Sequence, residues 1–206
     1  MDIAISETGP QPLVEIALGK ADGTFMLVGS VQTVNTISAI ALIDATSDRK
    51  ADLVVGDGPN VVVYPGLGNG TFAAPMNTRH TFQSMDTGAS LAAGDFNGDG
   101  LSDFVVSASR SGGGGIPTGA GKIYLFFGRS GGFFPEGVNS VDVSTSDYFF
   151  TGEAQDDGFG YTLTAVGDVN GDGFDDFAVG APAADISGTG AIKDAGKVYV
   201  FFGFSP

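Results

Sequence analysis

Two short segments of this chain place oxygen-bearing side chains at alternate positions. Asp95, Asn97, Asp99 and Asp103 take positions one, three, five and nine of one segment. Asp168, Asn170, Asp172 and Asp176 take the same positions of another. Position six is glycine in both, Gly100 and Gly173. A tight loop with this spacing gathers three side chains about one point. The backbone carbonyl of position seven, Leu101 or Phe174, adds a further oxygen, and position nine closes the set with a carboxylate. Such a set suits calcium, which takes about six to eight oxygens at about 2.3–2.6 Å, better than magnesium, which demands a stricter octahedron and keeps its waters. The glycine permits a sharp bend because it tolerates positive φ. Carboxylates crowded into nine residues repel one another, and a divalent cation removes that cost. A degenerate third copy has Asp44, Thr46, Asp48 and Asp52, with the Lys50 carbonyl at position seven. There Arg49 replaces the glycine, and Arg49 and Lys50 could neutralise the carboxylates without metal. Two calcium sites are expected, and the third loop stays open between the two readings.

These loops need a frame, and the frame is repeated. Each loop sits between two short apolar runs, as in 90–94 and 103–107. A second word follows at a distance: Val61-Val62-Val63-Tyr64-Pro65-Gly66, Lys122-Ile123-Tyr124-Leu125-Phe126-Phe127-Gly128, and Lys197-Val198-Tyr199-Val200-Phe201-Phe202-Gly203. Val14-Glu15-Ile16-Ala17-Leu18-Gly19 is its counterpart near the start. Runs of β-branched and aromatic residues closed by glycine read as strands, and no window carries a capped helical period. The closing aspartates Asp2, Asp52, Asp103 and Asp176 recur at roughly fifty-residue intervals, the last lengthened by an insertion. In each unit strand one enters the acidic loop, strand two leaves it, and strand three is the Val/Tyr/Phe run. Candidates for strand four are 24–28, 79–83 and 148–152. The segments 21–25 and 68–72 read as tight hairpin turns. The expected fold is all-β: a β-propeller of four-stranded antiparallel blades, about three to four of them in this chain. The approximate blades are 1–34 (partial), 35–85, 86–152 and 153–206 (partial). One such blade cannot bury both faces alone, so neighbours must stack.

Composition agrees. Of 206 residues 34 are glycine, and 24 acidic residues face 9 basic ones for a formal charge of −15. Without clustered Lys and Arg, a nucleic-acid groove is excluded and an anionic membrane surface disfavoured. No apolar run reaches the roughly eighteen residues of a membrane-spanning helix, so no membrane insertion is expected. Cysteine is absent, which leaves metal as the available staple. No basic segment followed by an apolar one opens the chain.

Phe159-Gly160-Tyr161, the acidic loop after it, and Val179-Gly180-Ala181-Pro182 together resemble the FG-GAP repeat of integrin α-chain propellers. Asn69-Gly70-Thr71-Phe72 is similar to the related VCBS-type repeats of secreted proteins. The fourth unit matches strongly. The third keeps the loop but has Gly88-Ala89 and Ser107-Ala108-Ser109 in place of the family words, and the first two are degenerate. The resemblance implies a calcium-bound propeller, usually of seven blades, on a secreted or cell-surface protein. It places the binding face on the rim opposite the calcium loops, where 107–121, 153–158 and 181–196 fall. A partial set of blades implies part of a longer ring, or copies that assemble, with self-association through open blade edges.

Other signals carry less. The single histidine, His80, has no partner pattern for catalysis. Gly128-Arg129-Ser130-Gly131-Gly132 lacks the following helix and the histidine of a nucleophile elbow. Around Gly121-Lys122, Ile116 and Ile123 stand where a phosphate loop needs glycine and a hydroxyl. Asn69-Gly70-Thr71 is a formal glycosylation sequon that a hairpin turn explains. The aromatic pairs Phe126-Phe127, Phe133-Phe134, Phe149-Phe150 and Phe201-Phe202 are read as packing between blades. The resulting expectation is a non-catalytic, calcium-binding adhesion segment with a protein or glycan ligand. The alternative is a structural or carbohydrate-binding appendage of a larger secreted enzyme.

Overall fold

The computed structural model describes residues 3–7, 9, 11–33, 35–57, 60–75, 90–109, 119–133, 143–186 and 192–206. Asp2, the strand-four candidate 79–83, His80, Gly88 and Ala89 lie outside them. The fold is all-β, in four antiparallel sheets. Ile3–Glu7 (β1), Leu13–Gly19 (β2) and Phe25–Gln32 (β3) form the first. Ile37–Ile43 (β4), Asp52–Asp57 (β5) and Asn60–Tyr64 (β6) form the second. Leu91–Gly94 (β7), Asp103–Ala108 (β8), Lys122–Phe126 (β9) and Tyr148–Thr151 (β10) form the third. Thr162–Gly167 (β11), Asp176–Ala181 (β12) and Lys197–Phe201 (β13) form the fourth. Among the described residues the one helical element is a 3-10 turn, Val143–Thr145.

One register repeats through the sheets. Leu53 pairs with Tyr64, Phe104 with Phe126, and Phe177 with Phe201. In the third and fourth sheets this pair is two stacked rings, with centroids 4.7 and 5.0 Å apart. Because side chains alternate across a strand, each sheet offers one face to each neighbour. Leu53 and Val55 pack toward the first sheet, with Val14, Ile16 and Tyr64. Val54, from the same strand, packs toward the third sheet with Val61, Val63, Phe104, Val106 and Phe126. Val105, Ile123 and Leu125 turn the other way, onto Leu163, Phe177 and Val179 of the fourth. The sheets therefore stack in chain order, each interface a dry layer of Val, Leu, Ile and Phe. These are successive propeller blades.

The strand-four reading succeeds where it can be checked. Residues 24–28 fall on β3 and its turn, and 148–152 on β10. Only the third sheet shows all four strands among the described residues. Both hairpin turns form by one device. Asp22 Oδ1 accepts the Thr24 N–H at 2.9 Å, and Asn69 Oδ1 accepts the Thr71 N–H at 3.0 Å. The aromatic reading needs correction. Phe126, Phe127, Phe150 and Phe201 pack between sheets, but Phe149 and Phe202 are more than half exposed. Phe149 lies on the outermost strand, and Phe202 belongs to a face that no sheet among the described residues covers.

Candidate functional site

The acidic loops join strand one to strand two at one end of their sheets. Their backbones coil around the position-one carboxylate. Asp95 accepts the Asp99 N–H (3.1 Å) on Oδ1 and the Gly100 N–H (2.9 Å) on Oδ2. Asp168 does the same with Asp172 (3.1 Å) and Gly173 (2.9 Å), and also takes the Gly171 N–H. These bonds, the Gly173 N–H first, hold the Asp168 carboxyl below the usual range. Asn97 and Asn170 accept the N–H of position five at 3.0 and 2.9 Å. Asp99 and Asp172 accept the N–H of position seven at 2.8 and 3.0 Å. Positions one, three and five are thus oriented by the backbone, exposed or half-buried.

Position nine is different. Asp52, Asp103 and Asp176 are fully buried. One oxygen of each reaches back to the loop, accepting the N–H of Thr46 (2.8 Å), Phe96 (2.7 Å) or Val169 (2.9 Å). The other crosses the sheet to the glycine after strand three, accepting the N–H of Gly66 (2.7 Å), Gly128 (2.6 Å) or Gly203 (2.9 Å). A side chain at that glycine would collide, since a Cβ on Gly66 would lie 2.0 Å from the Ala51 oxygen. Burial drives the Asp103 carboxyl up to about 6, against the pull of the Gly128 and Phe96 N–H bonds. Burial raises Asp52 in the same way. The closing carboxylate is a pin between loop and blade as well as a candidate ligand. Sequence reasoning missed this second role, whose signal was the glycine ending every strand-three word.

Among the described residues no three acidic or histidine side chains converge into a ready metal cage. The donor set nevertheless fits calcium: hard oxygens, carboxylates that retain lone pairs beyond their N–H bonds, and no Lys or Arg within 95–103 or 168–176. Asp95, Asn97, Asp99, the Leu101 carbonyl and Asp103 would hold one ion. Asp168, Asn170, Asp172, the Phe174 carbonyl and Asp176 would hold another. The third loop keeps the same path. Asp44 accepts the Asp48 and Arg49 N–H groups at 2.9 and 2.8 Å. Arg49 adopts φ 65° where Gly100 and Gly173 have 81° and 95°. Lys50 Nζ lies 2.7 Å from Asp48 Oδ2 and holds that carboxyl low. Thr46 Oγ1 is buried without a hydrogen bond of good geometry, yet it is near enough to Asp48 and Asp52 to favour their charged forms. Asp44, Thr46, Asp48, the Lys50 carbonyl and Asp52 thus share the fold of the other loops, with an internal cation already on one ligand.

At the opposite end the structure brings together the described parts of the three expected rim loops. Segment 152–160 lies between the other two. Gly152 and Gly158 donate to the carbonyls of Gly121 (3.0 Å) and Gly119 (3.2 Å), and Ala183 donates to Asp157 O (3.2 Å). Glu153 meets Lys197 Nζ at 2.6 Å, and that contact holds its carboxyl low. Residues 110–118 and 187–191 of these loops lie outside the description. Gly160 and Tyr161 N–H both donate to Gly180 O, at 3.1 and 3.2 Å. Phe159 is buried, its ring 5.2 Å from that of Tyr199. The Phe-Gly word before strand one is thereby hydrogen-bonded to the Gly-Ala-Pro word after strand two.

Comparisons with known proteins match the segment that holds both words. The FG-GAP repeat model matches residues 87–126 and 159–201, and the FG-GAP-like repeat model matches 44–106. Together they span more than half of the chain. This chain belongs to the FG-GAP repeat family. Integrin alpha-5 of Xenopus laevis is 35% identical over 130 residues, 61% of this chain and 11% of that protein. Integrin alpha-PS2 of Drosophila melanogaster is 32% identical over 165 residues, 78% of this chain and 11% of that protein. Integrin alpha-PS5 of the same fly is 37% identical over 116 residues, 56% of this chain and 10% of that protein. This FG-GAP chain spans about a tenth of the length of the curated relatives it matches. No helix among its described residues is long and apolar enough to cross a membrane.

Proposed function

We propose that this FG-GAP chain is a calcium-stabilised, non-catalytic propeller segment that works outside the cell or on its surface. Calcium orders the rim carrying 95–103 and 168–176. The opposite rim, built from 119–121, 152–160 and 180–186, recognises a protein or glycan. The observation that carries this reading is the repeated loop: two oxygen-only sets with backbone-oriented carboxylates and no internal base, on the same frame as a third whose Lys50 already sits on Asp48. The integrin alpha relatives support the setting.

The test is a thermal melt in millimolar calcium and in excess chelator, with calorimetric titration of the ion. Extracellular modules bind calcium at about 10⁻⁴–10⁻³ M. A site held at a hundredfold excess over its dissociation constant gains about 2.7 kcal/mol. Two ions are expected, one lost in Asp99→Ala and one in Asp172→Ala, with a melting point several degrees higher in calcium. Equal melting curves for a chain shown by metal analysis to be ion-free would overturn the proposal. Binding of the intact segment to a glycan array, or to immobilised extracellular-matrix proteins, then tests recognition.

A further inference from the structure

Two of the acidic loops and one hairpin turn each hold an asparagine followed by glycine: Asn97-Gly98, Asn170-Gly171 and Asn69-Gly70. Such a pair can react with itself. The glycine nitrogen attacks the asparagine Cγ. A C–N bond forms, that nitrogen gives up its proton, and Nδ2 leaves as ammonia. The product is a five-membered succinimide, which water opens at either carbonyl to give aspartate or isoaspartate. One water is consumed and one ammonia released, and nothing is oxidised or reduced. Glycine permits the attack because it carries no Cβ to crowd its nitrogen and adopts conformations closed to other residues. Three features of the fold then set the rate. The attacking N–H must be free, the leaving amide must be unbonded, and donors must meet the carbonyl oxygen on which negative charge develops.

The three sites differ in these features. Asn69 is exposed. Its Oδ1 accepts two hydrogen bonds, from the Thr71 N–H at 3.0 Å and from the Thr71 hydroxyl at 2.6 Å. Among the described residues nothing accepts from Asn69 Nδ2 or from the Gly70 N–H. Asn97 and Asn170 each accept one bond on Oδ1, at 3.0 and 2.9 Å. Their leaving amides are held by carboxylates, Nδ2 donating to Asp99 Oδ2 at 3.0 Å and to Asp172 Oδ2 at 2.7 Å. The Gly171 N–H is occupied as well, on Asp168 Oδ1 at 2.6 Å. We propose that Asn69 is a self-modification site: it cyclises onto Gly70 and deamidates ahead of Asn97 and, slowest, Asn170. The twin turn shows which product the fold accepts. Asp22 Oδ1 takes the Thr24 N–H and hydroxyl at 2.9 and 2.6 Å, so an aspartate at 69 preserves the turn. Isoaspartate adds an atom to the backbone inside the ring that the Leu67 N–H closes on Thr71 O at 2.9 Å. This turn rests on the first sheet: a Cβ on Gly70 would lie 2.8 Å from Val28 Cγ2 and 3.1 Å from Leu18 Cδ2. The isoaspartate product therefore loosens a joint between the first and second sheets.

The experiment incubates the 206-residue chain in heavy-oxygen water and follows label uptake at each asparagine by peptide mass spectrometry. Isoaspartyl methyltransferase counts the isoaspartate formed. Chelator is present throughout, so the outcome does not depend on calcium. The same incubation in denaturant gives the rates that local sequence alone sets. An oriented oxyanion donor in an enzyme is worth about 10²–10³ in rate, and in an exposed turn Asn69 should lead Asn97 by roughly tenfold. In denaturant the three rates should converge. Thr71→Val removes the hydroxyl and keeps the backbone N–H, so it should slow Asn69 several-fold. Thr71→Ser, which retains the hydroxyl, should restore the rate. The proposal is overturned if Asn69 in the folded chain reacts no faster than Asn97, or if the same ratios persist in denaturant. Wild-type conversion of Asn69 in Thr71→Val overturns it too.

Discussion

Replacing Asp103 separates its two roles. Its carboxylate accepts the Phe96 N–H at 2.7 Å and the Gly128 N–H at 2.6 Å, and it is fully buried. In Asp103→Ala both of these buried donors lose their partner inside the protein, as does the half-buried Asn97 N–H, 3.2 Å from the same carboxylate. A buried donor left unsatisfied costs about 1–3 kcal/mol, so the two together cost about 2–6 kcal/mol. At about 2–4 °C per kcal/mol for a domain of this size, the melting point should fall by roughly 10 °C. That fall is independent of metal and should be present in full in chelator. Asp99→Ala is the contrast. Asp99 is exposed, and its oxygens serve the loop, accepting the Leu101 N–H at 2.8 Å and the Asn97 side-chain amide at 3.0 Å. In chelator it should melt close to wild type, and in calcium it should lose the increment of one site. The assay is a melt of wild type and both variants with and without calcium. If Asp103→Ala melts within 2 °C of wild type in chelator, the pin is wrong and position nine acts as a ligand alone.

Two further outcomes follow from the loops. Arg49 adopts φ 65°, a conformation that costs a residue with a Cβ about 1–2 kcal/mol, while glycine returns about 0.4–1 kcal/mol of unfolded-state entropy. Arg49→Gly should therefore stabilise the chelated chain by roughly 0.5–1 kcal/mol and strengthen calcium binding at 44–52 by removing a positive charge; an unchanged or lower melting point in chelator counts against this. Calcium stabilisation should also depend on pH. Without metal, burial holds Asp103 at about 6, above its ordinary 3.8. The stabilisation linked to its protonation is thus fully present below the ordinary value and lost as pH rises through 6. Calcium needs the carboxylate, so protons compete with it. The gap between the calcium and chelator melting points should narrow as pH falls from 7.5 to 5, and a constant gap would refute the linkage.

The loops were legible because their spacing is covalent. Asp95, Asn97, Asp99 and Gly100 are neighbours in sequence, and their carboxylate-to-backbone bonds span two to five residues. The strand-three words were legible because alternation and β-branching are also local. The pin was not. Its partners stand 14, 25 and 27 residues downstream at Gly66, Gly128 and Gly203. The intervals differ because the strand two-to-three connections differ in length. The split between half-buried Phe201 and exposed Phe202 was equally hidden. A strand pattern says that they face opposite ways, but only the stack of sheets says which way is covered.

The same distant bonds decide how far an ion's effect would travel. The Phe133 N–H of the third sheet donates to Ala45 O in the second-sheet loop at 3.1 Å. The Phe204 N–H of the fourth sheet donates to Phe96 O in the third-sheet loop at 2.9 Å. Asp175 fastens that second contact from its own loop, its Oδ2 accepting the Asp95 N–H at 2.9 Å and its N–H donating to Asp95 O at 3.0 Å. Position two of the 44–52 and 95–103 loops is thus an anchor for the next blade, and position nine anchors each loop to its own. A cation drawing positions one, three and five together would brace a joint between two sheets. Losing the ion at 95–103 should therefore loosen the fourth sheet as well as the third. Losing the ion at 168–176 should loosen the fourth, to which Asp176 pins its loop through the Gly203 N–H. A response that crosses from 95–103 into the fourth sheet is what separates an ion that couples blades from one that only fills a turn.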